Sequence, residues 1–153
     1  MVYPVSKQNK METNNKYKIF LVDDDAFCLG LYREHLAGLG YDDITSFANG
    51  PDCLNQLTQQ PDVIFLDYEM DNLTGLEVLK KIKRFNPDIF VIFLSGQASI
   101  MTAVNALKFG AFDYIVKGMF ERENITKVLG KIGEVKELMK KEKPTLINKI
   151  FSF

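Results

Sequence analysis

Four stretches of this chain are apolar without a break: residues 19–22, 63–66, 89–94 and 114–116, with a weaker fifth at 43–47. Runs of this length, rich in Ile, Val and Phe and lacking polar alternation, mark strands buried on both faces. Between them the apolar positions change period. Cys28, Leu31, His35/Leu36 and Leu39 recur at helical spacing, with Gly38 and Gly40 as a stop signal. Leu54 and Leu57 make a short second stripe that ends at Pro61. Leu76, Leu79 and Ile82/Lys83 make a third, started by Thr74 and ended before Pro87. Ile100, Val104 and Leu107 give a fourth, ended at Gly110. The fifth and longest carries Ile125, Val128/Leu129, Ile132, Val135 and Leu138/Met139, and Pro144 is predicted to break it. Strand and helix therefore alternate five times between Tyr17 and about residue 143. That order predicts an α/β fold, a doubly wound parallel sheet with helices on both faces and right-handed crossovers.

Composition narrows the class. At 153 residues, with 46% apolar and 25% charged residues, the chain has the length and make-up of one globular domain. Its net charge of −1 lacks the basic excess of a nucleic-acid domain. No apolar run approaches the ~20 residues that cross a bilayer. The first seventeen residues have no apolar h-region, so no secretory signal is expected. Cys28 and Cys53 have neither metal-ligand nor CxxC spacing, which points to a reduced, cytoplasmic domain. The charge is uneven: residues 17–120 hold 8 basic against 14 acidic residues, whereas 121–153 hold 8 against 5.

Several of those acids stand where apolar runs end. In a doubly wound sheet, ligands bind beyond the carboxyl ends of the strands. Asp23-Asp24-Asp25 follow the run 19–22, Asp67 follows 63–66, Ser95 follows 89–94 and Lys117 follows 114–116. Carboxylates converging on one rim repel each other, and a hard cation relieves this. Mg2+ suits the site, because it takes one or two carboxylates, keeps waters and completes its shell with phosphate oxygens. A carboxylate beside it can attack a phosphoryl group, giving an aspartyl phosphate. The three equatorial oxygens of that transfer are then met by the metal, the Ser95 hydroxyl and the Lys117 ammonium.

In order and spacing, four segments resemble the receiver domain of two-component response regulators, including chemotaxis regulators. They are Ile19-Phe-Leu-Val-Asp-Asp-Asp25, residues 62–70 with Leu73-Thr-Gly75, Val91-Ile-Phe-Leu-Ser95, and Ala111-Phe-Asp-Tyr-Ile-Val-Lys117. The resemblance implies a five-stranded, flavodoxin-like sheet in order 2-1-3-4-5 with five helices. It implies that Asp67 is the phosphoacceptor, that Asp24 binds Mg2+ (or Mn2+) directly and Asp23 through water, and that the Glu69 backbone carbonyl is a further ligand. Ser95 takes the switch hydroxyl position, Lys117 that of the family's lysine, and Tyr114 that of the aromatic switch. A phosphohistidine on a sensor histidine kinase or histidine phosphotransfer protein would be the donor. An unidentified downstream protein would read the face of the fourth helix, fifth strand and fifth helix. The family also allows a phosphorylation-dependent homodimer.

The chain departs from the family in three places. Asp71 and Gly118 stand where proline is usual, and Thr74 stands where Asp is usual. A cis bond without proline costs about 2.5–4 kcal/mol, so a trans Lys117–Gly118 peptide is expected. Thr74 serves as a helix N-cap as well as Asp does. Phosphorylation is expected to draw Ser95 toward the phosphoryl group and let Tyr114 rotate into the space it leaves. Glu69 and Gln97 are placed to flank the water that hydrolyses the acyl phosphate.

Plainer roles suit the remaining residues. Asp25 is expected to serve the helix N-terminus, His35 to sit in the core or at its rim, and both cysteines to act as small hydrophobes. The domain is expected over 17–143, with a loose extension at 1–16 and a short extension or boundary at 144–153. In that last stretch Leu146, Ile147, Ile150 and Phe151 would share one apolar side. The receiver either stands alone or belongs to a longer protein, and its only enzymatic acts would be phosphorylating itself from a donor and dephosphorylating itself. Two other classes fit less well: an aspartate-nucleophile phosphatase, for which Glu69 is an imperfect second acid, and a phosphorylation-independent pseudo-receiver. A flavin or nucleotide binder would need a glycine-rich loop after the first strand, and none follows.

Overall fold

The computed structural model describes residues 17–151, with side chains described for 17–142. The N-terminal extension expected at 1–16 and the shared apolar side expected for Leu146, Ile147, Ile150 and Phe151 lie outside what is described. Five parallel strands, β1 (Ile19–Val22), β2 (Ile44–Phe47), β3 (Val63–Asp67), β4 (Phe90–Ser95) and β5 (Asp113–Val116), form one sheet in the order β2-β1-β3-β4-β5. The helices are α1 (Ala26–Gly38), α2 (Gly50–Asn55), α3 (Gly75–Phe85), α4 (Ile100–Lys108) and α5 (Glu121–Phe151). This is the doubly wound fold that the alternation of apolar runs predicts.

Period two within each strand explains the unbroken apolarity. Phe20, Val22, Ile64, Leu66, Val91 and Phe93 form one core layer with Cys53 of α2, Val78, Leu79 and Ile82 of α3, and Ala106 of α4. Ile19, Leu21, Val63, Phe65, Ile92, Leu94 and Ile115 face α1 and α5, meeting Tyr32, Leu36, Ile125, Val128, Leu129 and Ile132. Each fully buried Ile, Leu or Phe contributes roughly 1.5–3 kcal/mol over its exposed state, so a strand wet on either face would lose its hold on the sheet.

Pairing register sets the height of each strand end. Val22 pairs with Leu66, Asp67 with Leu94 and Ser95 with Val116. The residues one step further, Asp23, Ser95 and Lys117, therefore arrive beside Asp67 at one rim. Gly75 keeps that rim closed. A Cβ on it would sit 2.7 Å from the Asp67 carbonyl oxygen and 2.8 Å from the Tyr68 Cα. Only glycine lets α3 start so close to the end of β3. Thr74 caps that helix as expected, in a reciprocal capping box with Glu77.

Three helices differ from the sequence expectation. In α1 the buried face is centred on Tyr32 and Leu36 rather than on Leu31, because the Tyr32 ring enters the core while its hydroxyl donates to Glu121 Oε2 at 3.0 Å. In α4 the stripe of Ile100, Val104 and Leu107 forms on schedule but is exposed, and Ala106 is the buried residue. Small side chains let this helix lie against its layer, which leaves the large ones outside. The helix α5 passes Pro144 without the predicted break. In a helix interior a proline removes one hydrogen bond and crowds the carbonyl four residues before it, at a cost of about 3 kcal/mol that disfavours the helix without forbidding it. The Lys117–Gly118 peptide is trans as expected, since the described residues contain no cis bond, and Gly118 takes φ +77°. No helix among the described residues is long and apolar enough to cross a membrane.

Replacing Gly75 by Ala forces a methyl group onto backbone atoms that have nowhere to move. Urea unfolding of Gly75→Ala should show a loss of about 1–3 kcal/mol; unchanged stability would contradict the close approach.

Candidate functional site

The rim gathers the residues that the strand ends supply. Asp23 and Asp67 are buried and Asp24 is exposed, and carboxylate oxygens of all three lie within 4.8 Å of one another. Lys117 Nζ donates to Asp23 Oδ2 at 2.8 Å and stands 3.4 Å from Asp67 Oδ1. Two backbone N–H groups complete the anchoring: Asp25 N donates to Asp23 Oδ1 at 2.9 Å, and Glu69 N to Asp67 Oδ1 at 3.1 Å. These bonds hold each buried carboxylate in one rotamer.

The fourth strand end adds a hydroxyl. Ser95 is fully buried. Its Oγ donates to Glu69 Oε1 at 2.8 Å and accepts from Gln97 N at 3.1 Å. The Gln97 carbonyl in turn accepts from the Tyr114 hydroxyl at 2.7 Å, and the Tyr114 ring meets that of Tyr68 edge-on at 6.3 Å. Asp23, Asp24, Asp67, Ser95, Lys117 and Tyr114 thus share one neighbourhood, as do Glu69 and Gln97.

Electrostatics follow from the crowding. Burial pushes the Asp67 carboxyl up to about 6, and the neighbouring Asp23 charge adds to the rise. The Glu69 N–H and Lys117 oppose it without cancelling it. Burial alone would lower the Lys117 ammonium, but its hydrogen bond to Asp23 and the charges of Asp67 and Asp23 outweigh that, so it stays protonated well above the usual lysine range. The cluster has more anionic than cationic charge, and its hard oxygens lie close enough to share one small divalent ion. The donor set fits an oxygen-preferring cation.

Other candidates fall outside the cluster. Asp71 lines a small cavity of about 100 Å3 beside Asp24, with Asn49, Met70 and Asn72, and does not join the three clustered carboxylates. Asp25 caps α1 through Phe27 N, as expected. His35 ties α1 to α5, its Nε2 3.0 Å from the Arg122 carbonyl oxygen, which is a rim role. The Cys28 Sγ lies 3.5 Å from Asp25 Oδ2, and burial raises its thiol pKa. The direct Lys117–Asp23 pair and the Glu69–Ser95 hydrogen bond were not foreseen from the sequence. A carboxylate two residues beyond a strand-end acid was the available signal for the second.

The fold and this acidic rim define a doubly wound α/β domain with a polar site at the carboxyl ends of its strands, and comparison with known proteins gives its family. The sequence profile of the response regulator receiver domain matches residues 19–130, so the chain belongs to that family. The luminescence regulatory protein LuxO of Vibrio campbellii is 38% identical over 98 residues, which is 63% of this chain and 21% of LuxO. The transcriptional regulatory protein ZraR of Escherichia coli is 37% identical over 107 residues, 69% of this chain and 24% of ZraR. This chain thus matches about a fifth to a quarter of the length of these curated relatives. Among solved structures, a CheY-like receiver domain protein from Methanospirillum hungatei superposes with a TM-score of 0.70 at 27% identity, covering 78% of this chain and 95% of that one.

The raised Asp67 pKa has a consequence for stability. The native state binds this proton more tightly than the unfolded chain, so the ionised carboxylate opposes folding above about pH 6 and the penalty fades as pH falls toward 4. In the presence of chelator, Asp67→Asn should therefore be more stable than wild type at pH 7, by about 1–3 kcal/mol, with the gap closing near pH 4. Urea titrations at both pH values measure it, and a gap that widens in acid would reverse the assignment.

Proposed function

We propose that this receiver domain accepts a phosphoryl group on Asp67 from a phosphohistidine of a sensor histidine kinase or histidine phosphotransfer protein. The observation that carries the reading is the placement of Lys117 Nζ 3.4 Å from Asp67 Oδ1, with the Asp23 and Asp24 carboxylates alongside. An Asp67 carboxylate oxygen attacks phosphorus as the P–N bond to the donor imidazole breaks, and the imidazole nitrogen keeps the electron pair and takes a proton. Asp24, Asp67 and the Glu69 carbonyl would hold Mg2+ (or Mn2+) directly and Asp23 through water, and the ion supplies charge neutralisation for the transferring oxygens. Lys117 keeps its proton through the transfer and pairs with the added charge. Ser95, one residue beyond the Leu94 that pairs with Asp67, would donate to a phosphoryl oxygen once it turns from Glu69.

Phosphorylation adds roughly −1.5 to −2 charge and three acceptor oxygens at the rim. The bonded series Ser95, Gln97 and Tyr114 carries that change to the surface of α4, β5 and α5, where the exposed apolar stripe of α4 offers a downstream protein or a second copy a place to bind. The functional unit is residues 17–143, and the setting is cytoplasmic. Nothing beyond accepting and hydrolysing its own phosphoryl group is asked of it as an enzyme. Glu69 engages Ser95 rather than facing Asp67 as a free acid, which weighs against a phosphatase.

Incubation with acetyl phosphate and Mg2+ should add one phosphate to wild type and none to Asp67→Asn, read by intact-protein mass. Labelling of both variants to the same extent would end the proposal. Mg2+ at a hundredfold over its Kd should raise stability by about 2.7 kcal/mol, and Asp24→Asn should lose most of that gain. A melting temperature equally responsive to Mg2+ in both proteins would remove Asp24 from the metal site.

A further inference from the structure

The hydroxyl proton of Ser95 is committed. Ser95 is fully buried, and its Oγ donates to Glu69 Oε1 at 2.8 Å. A hydroxyl has one proton to give. For Ser95 to donate to an oxygen carried on Asp67, the bond to Glu69 must break first. Because the acceptor is a carboxylate, that bond is charge-assisted and stronger than one to a neutral partner.

Glu69 is exposed, and its backbone is anchored on the side toward the sheet. The Glu69 backbone N–H donates to Asp67 Oδ1 at 3.1 Å, and Tyr68 N donates to the Leu94 carbonyl at 3.0 Å. The side chain then reaches over the backbone of Gly96, where an added Cβ would stand 3.7 Å from Oε2 and 3.9 Å from Oε1. One end of residue 69 thus touches the proposed phosphoacceptor and the other holds the hydroxyl. The same Ser95 Oγ accepts from Gln97 N, and the Gln97 carbonyl holds the Tyr114 hydroxyl.

We infer that the Glu69 side chain is a latch, a positioning residue that holds Ser95 and, through Gln97, Tyr114 in the unphosphorylated arrangement. This rests on the reading of Asp67 as phosphoacceptor. An anion added to Asp67 repels the Glu69 carboxylate and competes for the Ser95 proton, so one event removes the latch and supplies the replacement acceptor. The latch keeps most molecules out of the competent state, and apparent affinity for a phosphoryl mimic falls by the competent fraction.

The test is a double-mutant cycle on binding of beryllium trifluoride with Mg2+, using wild type, Glu69→Ala, Ser95→Ala and the double variant. With Ser95 present, Glu69→Ala should tighten binding about tenfold, and in the Ser95→Ala background it should change binding by less than about twofold. Before any ligand is added, the Tyr114 ring resonances of Glu69→Ala should already lie toward their positions in the liganded wild type. Glu69→Gln, which keeps size and loses charge, should fall between wild type and Glu69→Ala in both measurements. Equal tightening in both backgrounds would mean that Glu69 acts only as a nearby negative charge, and the latch would be wrong. Unmoved Tyr114 resonances would also overturn it. If wild type itself bound no beryllium trifluoride, the phosphoacceptor reading would fail, while the unliganded proteins would still decide the latch: Glu69→Ala should shift the Tyr114 ring resonances when Ser95 is present and not in the Ser95→Ala background, and an equal shift or no shift in both would overturn it.

Discussion

Two buried carboxylates lean on one ammonium. Lys117 donates to Asp23 and stands beside Asp67, and neither acid is open to water that would otherwise carry its charge. Burying ionised groups is costly unless each is paired and hydrogen-bonded. Here one cation and two backbone N–H groups serve two acids, which leaves the cluster under-neutralised. Burial raises the Asp67 pKa, the Asp23 charge adds to the rise, and Lys117 with the Glu69 N–H offsets only part of it.

The arrangement works only because the sheet is parallel and buried on both faces. Parallel strands all end at the same rim, so residues far apart in sequence meet without any loop having to fold back. Asp23 and Lys117 are 94 positions apart, yet they share a 2.8 Å hydrogen bond. The pairing register decides the heights to within one residue. A slip of one position along β5 would turn Lys117 to the other face, because side chains alternate. Gly75 then closes the rim from the α3 side at backbone distance. Stability and site geometry are therefore coupled: the packing that holds the strands also aims the acids.

From the rim a series of hydrogen bonds leads outward. Ser95 holds the Gln97 N–H, the Gln97 carbonyl holds Tyr114, and Tyr114 lies at the edge of the α4 surface. On that surface Ile100 is 80% exposed, with Met101, Val104 and Leu107 also open to solvent. The hydrogen bonds of Ser95 are thus two bonds removed from a residue beside this apolar surface. A partner that prefers one arrangement of these bonds would shift the population toward it.

Much of this was legible in the order of residues. Continuous apolar runs imply strands wet on neither face, alternation with helical stripes implies a parallel sheet, and a parallel sheet puts Asp23, Asp67, Ser95 and Lys117 at one end. Thr74 as a cap and the trans bond at Lys117–Gly118 follow from local chemistry alone. Such features depend on a residue and its near neighbours, or on a period, and both survive in one dimension. Which way α4 turns does not, because its stripe has the same spacing whether large side chains face the sheet or Ala106 does. Proline at position 144 lowers helix propensity but does not by itself end a helix. The partner of the Glu69 carboxylate is likewise a matter of side-chain rotamers and of a hydroxyl 26 positions away. Periodicity determined the fold and the strand-end residues; only three-dimensional packing decided which face α4 shows and which hydrogen bonds the buried groups make, because those depend on distances between segments that the chain order leaves free.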